Sequence, residues 1–277
     1  MLNQFSRTQL IYGKDAMDIL YKAHVAVFGI GGVGGYVVEA LARSGVSNFT
    51  LIDDDKVCLS NCNRQIIAMV NEVGKYKVDV MKQRILSINP SAKVETRQCF
   101  FLPSNQDEFD FTQYDYIVDA IDTVSAKIAI VLKAEENNIP VILNPAPAAE
   151  VPMEVVEKVT YLTPNEHEAV LIFGKELSTE ELLKKYPEKL LITQGSRGVS
   201  TCLKNGEILN VPARPAKVAD TTGAGDTLNG AFSVKIANGA DIKTALTFAN
   251  TAASLSTEKF GAQTGMPTVS EVEKELQ

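Results

Sequence analysis

Two stretches of the chain combine residue types able to hold and transfer phosphate. Residues 25–35 read VAVFGIGGVGG, an apolar strand pattern running into Gly29-x-Gly31-x-x-Gly34 where a helix begins. Glycines let the backbone turn sharply and approach a phosphate, while helix N-terminal amides supply donors and positive potential. Asp53 closes the next apolar run about twenty residues on, where a carboxylate can reach ribose hydroxyls. A polar set follows: Asp53-Asp54-Asp55, then Leu59-Ser60-Asn61-Cys62-Asn63-Arg64-Gln65, Gly74-Lys75-Tyr76-Lys77 and Val118-Asp119-Ala120-Ile121-Asp122. A nicotinamide site needs no convergence of Arg, Lys and a metal-binding acid, whereas a triphosphate site does. The second stretch is Asp220-Thr221-Thr222-Gly223-Ala224-Gly225-Asp226-Thr227. There Gly223, Ala224 and Gly225 open a helix with bare amides, and Asp226 is placed to deprotonate an attacking hydroxyl. Asn165 and Glu168, spaced N-x-x-E, fit a helix cap as well as a phosphate and metal site.

Alternating strand and helix patterns must position these runs. Short apolar strands are expected at residues 24–30, 48–53, 93–98, 114–120 and 139–143. Helices are expected at 31–44, 74–88 (stopped by Asn89-Pro90) and 124–137. This order predicts an α/β fold: a doubly wound, mostly parallel Rossmann-like sheet with helices on both faces. After Leu143, Asn-Pro-Ala-Pro-Ala makes a turn-rich break. Strands then read at residues 159–163, 190–194, 199–203 and 208–211, and helices at 223–237, 242–258 and 270–276. Asn205-Gly206 predicts a hairpin with a type I′ turn. No low-complexity linker intervenes, so two domains, residues 1–142 and 143–277, are expected to share one continuous sheet.

Composition narrows the function. The 277 residues include 27 Lys and Arg against 34 Asp and Glu, a net charge of −7. No basic block relieves that balance, so specific nucleic-acid binding is not expected. No apolar run approaches the length of a membrane span, and the N-terminus lacks a signal-peptide core. The four cysteines form no CxxC pair, which argues against a zinc knuckle or disulfide framework. A cytoplasmic protein with reduced thiols is expected, with Cys58 and Cys62 in structural roles.

On SNCNRQ, GKYK, SINP and DAIDTVSAK, in that order, residues 4–142 resemble the ThiF/MoeB/TcdA family. These are ATP-dependent activators of carboxylates, and within them the likeness is to tRNA threonylcarbamoyladenosine dehydratases. The resemblance implies that Gly29, Gly31, Gly32 and Gly34 cradle ATP and that Asp53 and Asp55 hold the ribose side. It further implies that Asn61, Arg64 and Lys77 grip the phosphates and that Asp122 binds catalytic magnesium. Arg7 resembles the arginine that reaches across a homodimer to the partner's ATP. The implied chemistry is attack of a carboxylate on the α-phosphate, with the protein supplying charge neutralisation and alignment. The family's macromolecule-receiving half is not matched, so tRNA is not expected as a partner.

From about residue 139 onward the chain resembles the ribokinase branch of the PfkB sugar kinases. That likeness rests on VILNPAPA, YLTPNEHEA, ITQGSRGV, DTTGAGDT, FANTAAS and FGAQTGMPT. It implies Asp226 as general base, with Gly223, Ala224 and Gly225 as the anion site. Asp220 and Thr222 would help bind a monovalent cation such as potassium, and Asn165 and Glu168 would organise phosphate and magnesium. Thr193 and Gly195 would line the nucleotide, Asn250 would lie near adenine, and His167 reads as an exposed helix residue. The sugar-binding first half of ribokinase is not matched. The expectation is a hybrid that binds ATP and magnesium, with weak or incomplete turnover toward an unknown small-molecule acceptor. One alternative is a carbohydrate kinase using Asp226. Another is a non-catalytic chimera or engineered fusion.

Overall fold

The sequences HVAVF and NFTLI are mostly apolar, as suits strands covered on both faces. They form β1 (His24–Phe28) and β2 (Asn48–Ile52), whose last four residues are all buried. The computed structural model describes residues 3–146, 148 and 150–277. Pro147, in the expected turn-rich break, lies outside the described residues. Two compact units, Met1–Asn138 and Ile139–Gln277, make up the chain.

In the first unit, α1 (Ser6–Lys22), kinked at Gly13, precedes β1 and was not among the expected elements. Next come α2 (Gly32–Ser44), β2, α3 (Lys77–Ile88), β3 (Lys93–Arg97), β4 (Tyr116–Asp119) and α4 (Val124–Glu136). The strands pair in the order β3-β2-β1-β4, all parallel. Chain order reverses between β1 and β4, which opens a crevice above the strands' C-terminal ends. Val27, Leu51, Val38, Met81 and Ile85 are fully buried in the core. Fully burying each such side chain contributes about 1.5–3 kcal/mol.

Helix α3 starts at Lys77, later than expected, because the residues before it pair with residues 55–57. The Gly74, Val57 and Lys77 amides donate to Val57, Lys75 and Asp55 carbonyls, each at 2.9 Å. Helices α2 and α3 are clamped by the buried Glu39. It accepts two bonds from Arg84 at 2.9 Å and one from Arg43 at 2.7 Å.

The second unit begins with β5 (Ile142–Leu143), α5 (Met153–Lys158), β6 (Tyr161–Leu162), α6 (Glu166–Phe173) and α7 (Thr179–Lys185). Then follow β7 (Ile192–Thr193), β8 (Val199–Cys202), β9 (Ile208–Val211), α8 (Ala224–Ala237), α9 (Ile242–Ser256), α10 (Ala262–Gly265) and α11 (Val269–Glu275). Strands β5 and β6 pair in parallel, while β7, β8 and β9 are antiparallel. Leu228 and Phe232 of α8 pack with Leu246 and Ala249 of α9 over Leu191 and Val199.

Three expectations need correction. The described strands fall into three sheets, of four, two and three strands, in place of one continuous sheet. The anticipated strand at 139–143 shrinks to two residues. Asn138 turns to φ 57° at the end of α4, and Pro140 has no amide to give a ladder. The β8–β9 hairpin is present, but its turn is not type I′. That turn needs positive φ at both central residues, and here only Gly206 has it, at 85°. The Gly206 amide bonds Leu203 O at 2.9 Å, so Lys204 and Asn205 form the turn and Gly206 a bulge. Among the described residues no helix is long and apolar enough to cross a membrane.

The Glu39 clamp is testable. Its bonds to Arg84, more than those to Arg43, hold its carboxyl below the usual glutamate range against the cost of burial. A depressed folded pKa contributes stability above the unfolded value, and that stability is lost as pH falls through the folded value. Glu39→Ala should lower unfolding free energy by about 1.5–3 kcal/mol at neutral pH. In urea denaturation the difference from wild type should shrink on acidification below the glutamate range. A difference constant into strong acid would contradict the clamp.

Candidate nucleotide-binding sites

The first unit's glycines fall into two kinds. Gly29 turns at φ 90°, and a β-carbon there would lie 2.5 Å from Ala120 O. A β-carbon on Gly34 would lie 1.8 Å from Gly29 O. These two are required by the close approach of loop, strand and helix. Gly31 and Gly32 are different. A β-carbon on Gly31 meets nothing nearer than 3.7 Å, and one on Gly32 meets nothing within 4 Å. Open space therefore lies over the residues that start α2, whose first-turn amides have no intrahelical acceptor.

Asp53, leaving β2, braces this loop. One oxygen accepts from Ile30 N at 2.6 Å and the other from Asp55 N at 2.8 Å. Burial nonetheless pushes its carboxyl up, against those amides and Lys77. Lys77, with its side chain 7% exposed, pairs with Asp55 at 2.5 Å. The structure thus joins two residues that the sequence reading gave to phosphate and ribose separately. Asn61 is buried and accepts from Cys58 N at 3.1 Å. Arg64 is exposed and bonds Ser60 O at 2.8 Å and Asn63 Oδ1 at 3.2 Å. Asp122 is exposed in the loop after β4. Among the described residues, the carboxylates whose oxygens cluster within 4.8 Å are Asp53, Asp54 and Asp55, without Asp122. Arg7 is exposed on α1, and among the described residues no hydrogen bond or ion pair ties it to the glycine loop. Cys58, expected in a structural role, is exposed, and its bond to Ser60 lowers the thiol's pKa.

In the second unit a cavity of about 880 Å³ gathers Asn165, Thr193, Gly195, Ala224, Gly225 and Asn250. Glu168, Asp220, Thr222, Gly223 and Asp226 do not line it. Asn165 and Glu168 cap α6 reciprocally, each amide bonding the other's side chain at 2.8 Å. That leaves one oxygen of the buried Glu168 for another partner. Asp220 accepts Thr222 N and Gly261 N, each at 2.9 Å, and these bonds hold its carboxyl low. Gly223, at φ 80°, packs so that a β-carbon would lie 2.7 Å from Ala262 Cβ. Asp226 is exposed in the first turn of α8 and has no hydrogen-bonding or ionic partner among the described residues. Asn250 is buried, and its amide donates to Val211 O at 3.1 Å and Pro212 O at 2.8 Å. His167, as expected, is exposed. Arg214 also lines the cavity and was missed, because nothing in its sequence neighbourhood marks it. It bonds Glu275 at 2.6 Å and Glu258 at 2.8 Å.

A parallel sheet with a glycine loop at its switch point defines a Rossmann-like nucleotide-binding protein. The ThiF family pattern matches residues 4–162, and the chain belongs to that family. It is also 54% identical over 140 residues to the ribokinase of Bacillus subtilis, covering 50% of this chain and 47% of that protein. Over 132 residues it is 46% identical to the tRNA threonylcarbamoyladenosine dehydratase of Haemophilus influenzae, covering 48% and 51%. Among solved structures, the Escherichia coli dehydratase TcdA in complex with ATP matches with TM-score 0.50 and 40% identity, covering 54% of this chain and 61% of that one. The chain spans about half the length of the curated relatives it matches. It combines a ThiF/TcdA-like and a ribokinase-like likeness.

The contrast between glycines gives a prediction. Gly34→Ala should destabilise the chain by about 1–3 kcal/mol, as overpacking does. Gly31→Ala should leave the melting temperature nearly unchanged while weakening ATP binding. Equal melting temperatures for the two variants would show that the loop does not need its close approach.

Proposed function

We propose that this is an ATP–magnesium-binding hybrid with an adenylating-type site in the first unit and a phosphotransferase-type site in the second. The observation that carries the reading is the second unit's cavity. It gathers six residues, from Asn165 to Asn250, that the resemblance assigned to a nucleotide from well-separated parts of the chain. In the first unit, Gly31 and Gly32 receive phosphate, Asp53 and Asp55 face ribose, and Asn61, Arg64 and Lys77 contact the phosphates. Asp122 holds magnesium there. The open space over Gly31 and Gly32, and a relative solved with ATP, support this. In the second unit Gly223 to Gly225 receive phosphate, Glu168 holds magnesium, and Asp220 and Thr222 serve a monovalent cation. Asp226 is the base, and its freedom from protein partners suits that role. Magnesium, when bound, would neutralise phosphate charge.

Because the two curated relatives named above are covered over about half their length, we assign ATP binding with slow turnover and not either relative's whole reaction. The acceptor is a small molecule, and tRNA is not bound specifically. Exposed Leu10 and Ile11 beside Arg7 support a homodimer that brings Arg7 to a partner's ATP.

Incubation with ATP and magnesium, followed by product identification, tests the reading. Slow release of ADP that disappears in Asp226→Asn is expected. Sugar-dependent ADP release at several turnovers per second, or AMP and pyrophosphate formed with a carboxylate at such a rate, would overturn the assignment of slow turnover. For the first site, Arg64→Ala should weaken ATP binding by about 1.5–3 kcal/mol, the worth of a hydrogen bond to a charged group. Calorimetry giving unchanged affinity would remove Arg64 from the site.

A further inference from the structure

Gln65 sits beside the glycine loop in a position that packing does not explain. The residue is 8% exposed, and its Oε1 is sealed from solvent without a hydrogen bond. Its backbone is fully engaged, with the amide on Asn61 O at 2.9 Å and the carbonyl taking Ala68 N at 3.0 Å. The next residue also touches the helix, since a β-carbon on Gly35 would lie 3.4 Å from Ile66 Cγ2. The segment therefore lies across the first turn of α2. At its closest approach, a β-carbon on Gly31 would lie 3.7 Å from Gln65 Nε2.

A buried acceptor left without a donor costs stability, and an apolar side chain of similar size would avoid that cost. Rotating the carboxamide does not help: it would seal the nitrogen and turn the oxygen toward the loop. In one orientation only does the group present a donor to the space over Gly31 and Gly32. An anion there, facing the free amides of α2, needs that donor. We infer that Gln65 is a phosphate-binding residue of the first unit, donating through Nε2 to an oxygen of the nucleotide's phosphates. This rests on the proposal that the first unit binds ATP.

The test uses the full chain carrying Gly225→Glu, which places a carboxylate in the second unit's cavity and confines ATP binding to the first unit. Gln65→Met and Gln65→Glu are then compared with this background by calorimetry and thermal melting. Gln65→Met should keep or raise the melting temperature while weakening ATP binding by about tenfold or more. Gln65→Glu should weaken it further, and adenosine affinity should change little in either. ATP affinity in Gln65→Met equal to the background overturns the inference, whatever the melting temperature does. A background that binds no ATP fails the first-unit reading itself, and this inference with it.

Discussion

The first unit is organised around one close backbone approach. Where a side chain on Gly34 would begin, Gly29 O lies 1.8 Å away, so the first turn of α2 rests directly on the exit of β1. Gly29 is itself approached by Ala120 O, 2.5 Å from where its own β-carbon would be. These contacts bring β1, α2 and the end of β4 to one point. They also leave Gly31 and Gly32 as the loop glycines that no backbone approaches closely. A loop held less tightly would scatter the amides at the start of α2, and an anion would have to order them on binding.

The two units secure their glycine loops by the same device. In each, one oxygen of an aspartate accepts the amide two residues on, and the other accepts an amide from a distant segment. Asp53 takes Asp55 N and Ile30 N, while Asp220 takes Thr222 N and Gly261 N. Their surroundings set opposite electrostatics. Asp53 is half-buried, and desolvation outweighs its two amides, so its carboxyl is raised. At Asp220 desolvation is the smallest influence, and the same kind of bonds lower its carboxyl. The second brace therefore keeps its charge more readily than the first as acid is added.

Much of this was legible from residue order. The run VAVFG is apolar throughout and NFTLI mostly so, which put β1 and β2 close to their observed bounds, and glycines marked α2. Local pattern failed where partners distant in sequence decide the backbone. The start of α3 moved to Lys77 because Gly74 and Lys75 pair with Val57, which no helical periodicity reveals. The turn at Asn205-Gly206 carries the residues of a type I′ turn, yet Asn205 stays at negative φ and Gly206 alone takes the left-handed role. Short helices such as α7 (Thr179–Lys185) are set by caps, here the reciprocal Ser178 and Glu181, more than by amphipathic length. At the sites, motif order named six of the cavity's residues but not Arg214, whose partners Glu258 and Glu275 come from later in the chain.

On the proposed ATP reading, the pair between Lys77 and Asp55 would shape what the first site binds. Lys77 has its side chain almost wholly buried, and its ammonium is matched at 2.5 Å by a carboxylate that is itself 67% exposed. Burying an unmatched ammonium is costly, so the unliganded protein gains by keeping this pair. A phosphate ligand on Lys77 must then compete with Asp55 for the same charge. A singly phosphorylated nucleotide offers little beyond what Asp55 already supplies. A triphosphate carries more charge and more oxygens, and can hold Lys77 while Asp55, already near solvent, swings out at small desolvation cost. On the ATP reading, this exchange favours ligands by phosphate charge and frees Asp55 for the ribose side only once the phosphates are seated.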